Sequence, residues 1–229
     1  MEFVDSVKKY SQSNAHVRES LDCIEKSFAE LGDDCRKMCV SFNGGKDCTV
    51  LLPLIHTVKV SRSVSGQLNC LYIVNPDPFP EMEQFLARCV SLFNLNLIKL
   101  EGPAKNALSQ LKSSGGEVIE DIFMGTRSTD LKGQISHFQM TDGSWPPFRR
   151  VSPILNWSYQ QVWSFILDLG IPYCSLYDTG YTSIGSVTNT WRNPKLKSCS
   201  PSGEEYYLPA HVLENAEHER CGRDSVQSC

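Results

Sequence analysis

Apolar residues recur along the chain in two rhythms. Between 14 and 31, Val17, Leu21, Ile24, Phe28 and Leu31 follow one another at helical steps, while Arg18, Glu19, Glu25, Lys26 and Glu30 fall on the other side. That is one apolar stripe on a helix, closed by Gly32-Asp33-Asp34. Short apolar runs then alternate with helical stretches. Met38-Cys39-Val40 predicts a first strand, 47–60 a helix and Cys70 to Val74 a second strand. Asn75-Pro76-Asp77-Pro78 stops that strand, because proline cannot serve a central ladder. A helix over 80–93 carries Met82, Phe85, Leu86, Cys89, Val90 and Phe93 on one face; a strand over 96–100, a helix over 103–113 and a strand over 120–124 follow. This alternation predicts the α/β class, with a mostly parallel sheet, right-handed crossovers and helices on both faces. Ligands of such sheets sit beyond the carboxyl ends of the strands.

Periodicity is lost over 131–150, and a loop of that length in a compact domain is usually functional or mobile. Helical spacing returns over 157–169, with Tyr159, Val162, Trp163, Ile166 and Leu167 facing inward as core. From Gly170 the chain is rich in turns and polar aromatics, which predicts an irregular C-terminal extension. The expected organisation is a helical segment over 1–35 packing on the core, an α/β domain over 36–170 and the extension over 171–229.

Composition narrows the function classes. With 229 residues, 41% hydrophobic and 21% charged, the chain suits one α/β domain with an elaborated end. A net charge of −4 argues against binding nucleic acid through bulk electrostatics, though not against a local basic site. No stretch approaches the roughly 18–20 apolar residues of a membrane span. Met1 to Tyr10 carry Glu2 and Asp5 and show neither a signal core nor an Arg-rich transit pattern, so the expected setting is cytoplasmic. The ten cysteines are scattered without a Cys-x-x-Cys pair, and the histidines do not cluster. Reduced, buried thiols and no structural metal are expected.

The chemistry concentrates in Ser41-Phe42-Asn43-Gly44-Gly45-Lys46-Asp47, which reads as strand, tight glycine loop, then helix. Adjacent glycines let backbone N–H groups point inward. The helix start adds free donors and a positive dipole end, and Lys46 adds a full charge. Together they describe a cradle for a phosphate chain. It is not the usual P-loop: the second glycine is missing, and Asp stands where Ser or Thr would hold Mg²⁺. Gly125-Thr126-Arg127-Ser128-Thr129-Asp130 follows the fourth strand, where Arg127 is able to fork onto phosphate oxygens; the plainer reading is a surface salt bridge on a turn. In Thr141-Asp142-Gly143-Ser144-Trp145-Pro146-Pro147-Phe148, Trp145 and Phe148 offer flat faces for a ring and Asp142 an acceptor, or else Trp145 simply packs on proline. The tail from Leu213, with Glu214, Glu217, Glu219 and His218 before Arg220-Cys221-Gly222-Arg223, reads either as a short helix ending in two arginines or as a solvated charged terminus.

These motifs together carry a resemblance. Ser-x-x-Gly-Gly-Lys-Asp resembles the pyrophosphate loop of the adenine-nucleotide alpha hydrolases, which include PAPS reductases. The longer match over 41–47, with 125–130, Thr141-Asp142 to Trp145-Pro146 and Tyr173-Cys174-Ser175-Leu176-Tyr177-Asp178 to Gly185, resembles the eukaryotic FAD synthases from about residue 36 to about 223. The resemblance implies a Rossmann-like, PAPS reductase-like fold and Mg²⁺-dependent adenylyl transfer from ATP to FMN, giving FAD and pyrophosphate. It implies Asn43, Asp47 and Asp130 as catalytic, and Ser41, Phe42, Asn43, Gly44, Gly45, Lys46, Gly125 and Arg127 at ATP. Asp130, Asp142, Trp145, Arg150, Arg220 and Arg223 are implied at FMN, with Mg²⁺ held mainly by substrate phosphates. FAD hand-off to client apoflavoproteins is implied as the partner interaction. Arg127-Ser128 stands where many relatives pair two arginines, which reduces the positive charge there. Some larger relatives carry a preceding molybdopterin-binding-like domain, for which 229 residues leave no room, so the synthase activity alone is expected. The alternatives are a PAPS reductase-type sulfonucleotide reductase using Cys221 and a non-catalytic nucleotide-binding protein.

Overall fold

A computed structural model describes residues 3–113, 118–130 and 136–223. Its centre is a six-stranded sheet in the order β3-β2-β1-β4-β6-β5. The strands are β1 (Met38–Ser41), β2 (Leu68–Val74), β3 (Leu95–Glu101), β4 (Asp121–Phe123), β5 (Phe138–Met140) and β6 (Arg149–Val151). All neighbours run parallel except β5, which pairs antiparallel with β6 at the edge. The predicted α/β class and mostly parallel sheet are therefore present.

Side-chain alternation sorts the sheet into two faces. Met38 and Val40 join the larger core, while Cys39, between them, joins the smaller one. The larger face is covered by α1 (Val4–Ser13), α2 (Ala15–Glu30), α4 (Leu51–Ser61), α5 (Pro80–Leu92) and α7 (Tyr159–Asp168). The smaller is covered by α6 (Ala104–Ser113) through Ala107 and Leu111. Leu176, Tyr177, Leu196 and Leu213 of the C-terminal extension also enter the larger core.

The chain leaves β1 toward β2 and β3 on one side, then returns through α6 to β4 on the other. β1 and β4 thus flank a topological switch point, where loops diverge and leave a crevice at the carboxyl ends of the strands.

Several expectations change in detail. The helix expected over 47–60 is two pieces, a short α3 (Lys46–Thr49) and α4. Pro53 has no N–H to give the Thr49 carbonyl, so the ladder is interrupted there. α1 was not legible, since only Val4 and Val7 of its ten residues are buried. In α7, Phe165 faces the core between Tyr10 and Trp157, while Leu167 is exposed. The aperiodic 131–150 segment holds the β5–β6 hairpin, with 131–135 outside the described residues. The extension carries a small ribbon of β7 (Lys197–Cys199) and β8 (Glu205–Tyr207). Among the described residues, eight cysteines are free thiols, but Cys221 is disulfide-bonded, which corrects the all-reduced expectation.

Candidate active site

The glycine loop turns at the carboxyl end of β1. Gly44 has φ +80°, a left-handed conformation that glycine adopts at no steric cost. Gly45 then caps α3, and its N–H donates to Asn43 Oδ1 at 3.0 Å. The Cys48 thiol sits 3.0 Å from the same oxygen; burial pushes this thiol up to about 12, so it stays protonated and able to donate. With Oδ1 facing donors on both sides, the Asn43 amide has one sensible orientation. Asn43 itself lines the crevice.

Across the crevice, Gly125 lies where β4 ends. A side chain there would place its Cβ 2.6 Å from the Asp47 carbonyl carbon and the Cys48 nitrogen. Glycine at this position is what lets the second loop press against the first turn of α3.

Behind the loops lies a dense charge cluster. Lys46 Nζ is 2.8 Å from Asp47 Oδ2 and also bonds Glu219 Oε1. Arg127 Nε is 3.1 Å from Asp47 Oδ1, and its Nη2 reaches Asp130 Oδ1 at 3.2 Å and Glu219 Oε2 at 2.6 Å. Both cationic side chains are only 2% exposed. Burial alone would lower the Lys46 and Arg127 values, but Asp47 and Glu219 outweigh it and hold both firmly protonated. Burial would likewise raise Glu219, yet Lys46 and Arg127 bring it below the usual carboxylate range. For Asp47 burial prevails and its value is raised, with Lys46 and Arg127 opposing. Lys46 Nζ also stands 5.2 Å over the Tyr159 ring, and its N–H donates to the Tyr177 hydroxyl at 2.9 Å.

In front of the cluster opens a polar cavity of about 440 Å³, lined by Ser41, Asn43, Gly45, Lys46, Asp47, Gly125, Asp130, Arg150 and Arg220 among others. An apolar cavity of about 280 Å³ adjoins it, lined by Leu71, Ile73, Leu108, Ile122, Asp142 and Trp145 with further neighbours. Ser41, Met124 and Arg150 line both, so the two cavities adjoin and share a wall. Arg150 Nε, at their junction, is buried without a hydrogen-bond partner among the described residues.

Other expected residues lie behind the walls. Arg127 is held by three carboxylates rather than aimed at the crevice. Phe42 is core, beside Phe85, and Gly44 backs onto Met82. Arg223 packs its guanidinium against Gly185, outside both cavity walls. Phe148 offers no open face for a ring; it is buried on the smaller sheet face, under Lys112. The described part of the tail is a short helical turn, 3₁₀ over Ala216–Arg220, that ends at Arg220, with no residue of the turn buried. It contributes Glu219, which sequence reading missed as a site residue. The one signal was its place beside Arg220. Tyr177 and Tyr159 were legible only as a family segment and as core.

Comparison with known proteins agrees with this architecture. The model of the phosphoadenosine phosphosulfate reductase domain matches residues 37–121 and 118–192. A probable FAD synthase of Schizosaccharomyces pombe is 40% identical over 215 residues, 90% of this chain and 78% of that protein. The chain belongs to the FAD synthase family, built on the phosphoadenosine phosphosulfate reductase domain. A probable FAD synthase of Caenorhabditis elegans is 38% identical over 96% of this chain but 43% of its own length; the chain spans about two fifths of such longer family members. Among solved structures, yeast FAD synthetase in complex with FAD superposes with a TM-score of 0.79 at 26% identity, covering 97% of this chain and 96% of that one. No helix among the described residues is long and apolar enough to cross a membrane.

Proposed function

We propose that this chain transfers the adenylyl group of ATP to FMN, giving FAD and pyrophosphate. The observation that carries the proposal is the pair of adjoining cavities, a polar cup on the glycine loop and an apolar chamber beside Trp145, with Arg150 in the wall of both. One substrate is a polyphosphate and the other a flat ring bearing a phosphate. Such a pair needs those two environments within reach of one reacting atom. The relatives named FAD synthase support the same reading.

The chemistry is an in-line displacement at the α-phosphorus. An oxygen of the FMN phosphate forms the new P–O bond while the bond to the pyrophosphate oxygen breaks, and pyrophosphate carries away the electron pair. No protein nucleophile is required. Positioning and charge neutralisation supply the catalysis. In this reading the α/β domain over 36–170 holds ATP and the extension over 171–229 completes the flavin and phosphate site. The Asn43 amide donates to oxygens of the reacting phosphate, and Gly45, Lys46 and Gly125 shape the cup. Asp142 and Trp145 meet the flavin, with Arg150 and Arg220 at its phosphate.

No group of three or more His, Cys, Asp or Glu able to hold a metal occurs among the described residues. Asp47 and Asp130 line the polar cavity, and two carboxylates there fit a Mg²⁺ that arrives with the triphosphate, as Mg²⁺ commonly does. Asp47 and Asp130 would be the carboxylates available to it, and the ion would neutralise phosphate charge. A cytoplasmic setting and FAD hand-off to client apoflavoproteins belong to the same proposal. Incubation of the protein with FMN, ATP and Mg²⁺, followed by chromatography, should show FAD and pyrophosphate in equal amounts. Consumption of ATP without FAD would reject the reading.

A further inference from the structure

Glu219 has no part in the displacement as written, yet both of its carboxylate oxygens are taken by buried cations of the site. One carboxylate oxygen takes Lys46 Nζ and the other takes Arg127 Nη2 at 2.6 Å. Its neighbour Arg220 lines the polar cavity. We propose that Glu219 is a positioning residue that fixes the Lys46 and Arg127 side chains beneath the phosphate cup and ties the arm bearing Arg220 to the nucleotide loop. The inference rests on the adenylyl-transfer reading of the same site.

Two physical arguments support it. First, two buried cations within one cluster need a shared counter-charge. Without Glu219, Asp47 would be the remaining carboxylate that faces both, and an unpaired buried charge is costly. Second, the arm is anchored rather than poised to swing away. The Glu219 carbonyl accepts from Thr182 Oγ1 at 2.7 Å, and the His218 carbonyl accepts from Asn193 Nδ2 at 2.8 Å, with Thr182 and Asn193 both buried. Trp191 N–H donates to the Gly222 carbonyl at 2.9 Å, and a Cβ on Gly222 would lie 2.3 Å from the Trp191 carbonyl oxygen. Glu219 is therefore a built-in member of the site. It is not a stand-in anion that ATP expels.

The test is Glu219→Gln, with Glu219→Asp as second variant, each checked for folding by circular dichroism and assayed for FAD formation and for ATP binding by calorimetry. Gln keeps the shape and loses the charge; Asp keeps the charge and loses reach. The expected result is a fall in kcat of about tenfold or more for Gln, a smaller fall for Asp, and each KM within about threefold, the signature of lost alignment rather than lost binding. A folded Gln variant with unchanged kcat and only lower stability would reduce Glu219 to a structural tie and overturn the proposal. ATP binding tighter in the Gln variant would also overturn it, by showing that Glu219 competes with phosphate. If the wild type makes no FAD, the adenylyl-transfer reading fails on its own. The ATP titration still decides Glu219, unchanged or weaker binding retaining it and tighter binding rejecting it.

Discussion

The site holds two kinds of cation, and they differ in almost every respect. Lys46 and Arg127 are buried, and carboxylates take up both charges. Arg150 and Arg220 face the cleft, and no carboxylate among the described residues lies within ion-pair distance of either. A phosphate binding at the rim meets free donors, whereas at the back it would have to compete with three carboxylates. In the proposed reading the inner pair builds and orients the cup, and the outer pair receives the ligand. A lysine in a glycine loop does not by itself identify the group that touches phosphate; its surroundings decide that.

The sharpest way to break this division is at Asp47, which touches both inner cations. Asp47→Ala should cut turnover about 10²-fold or more, the scale of losing one preorganised group. Near-normal turnover in a steady-state assay would remove the cluster from the mechanism. Arg127→Met comes next. It should cost about 3–5 kcal/mol in denaturant unfolding, because Glu219 and Asp47 lose a buried partner. By contrast, Arg150→Ala should change stability by no more than about 0.5 kcal/mol while raising the KM for FMN about tenfold, a loss of about 1.4 kcal/mol. Equal stability losses at Arg127 and Arg150 would erase the distinction.

A smaller effect separates the two halves of the cleft. Trp145→Ala should weaken FMN by several-fold and ATP less, as expected for a ring contact worth about 1 kcal/mol. A larger loss for ATP would place adenine, rather than flavin, in the apolar chamber.

The smallest effect is in pH. Glu219 lies below its ordinary 4.5 because Lys46 and Arg127 outweigh burial. Its contribution to stability is therefore complete above pH 4.5 and lost as pH falls through its native value. Asp47 is raised above its ordinary 3.8 by burial and has the opposite sign, its contribution being lost as pH rises through the native value. Unfolding curves of Glu219→Gln between pH 3 and 6 should lose the acid-side slope assigned to Glu219 and show a smaller Asp47 component, because the Glu219 charge helps to raise Asp47.

Much of this was legible in the sequence because it is local. The β1 run, the double glycine and the helical spacing of 80–93 each signal their structure within about a dozen residues, and the sheet follows from their alternation. Asn43 and Gly125, which line the polar cavity, could be named as candidates because they sit in the loops themselves. The hairpin was not found because β5 and β6 are three residues each, too short to show a period of two. Glu219 was not found because its partner Lys46 lies 173 residues away, and no local pattern joins a tail turn to the first loop. Arg127 was misread for a related reason. A guanidinium after a strand looks free until the carboxylates that surround it are brought in by other segments.

The central claim is that one cleft presents FMN phosphate to the α-phosphorus of ATP held on the glycine loop. A crystal structure with FMN and a non-hydrolysable ATP analogue tests it most directly. The account predicts the polyphosphate on residues 43–46, the α-phosphate within hydrogen-bond reach of the Asn43 amide, and the flavin ring beside Trp145. Polyphosphate bound away from that loop, or a flavin outside the chamber that Trp145 lines, would contradict it.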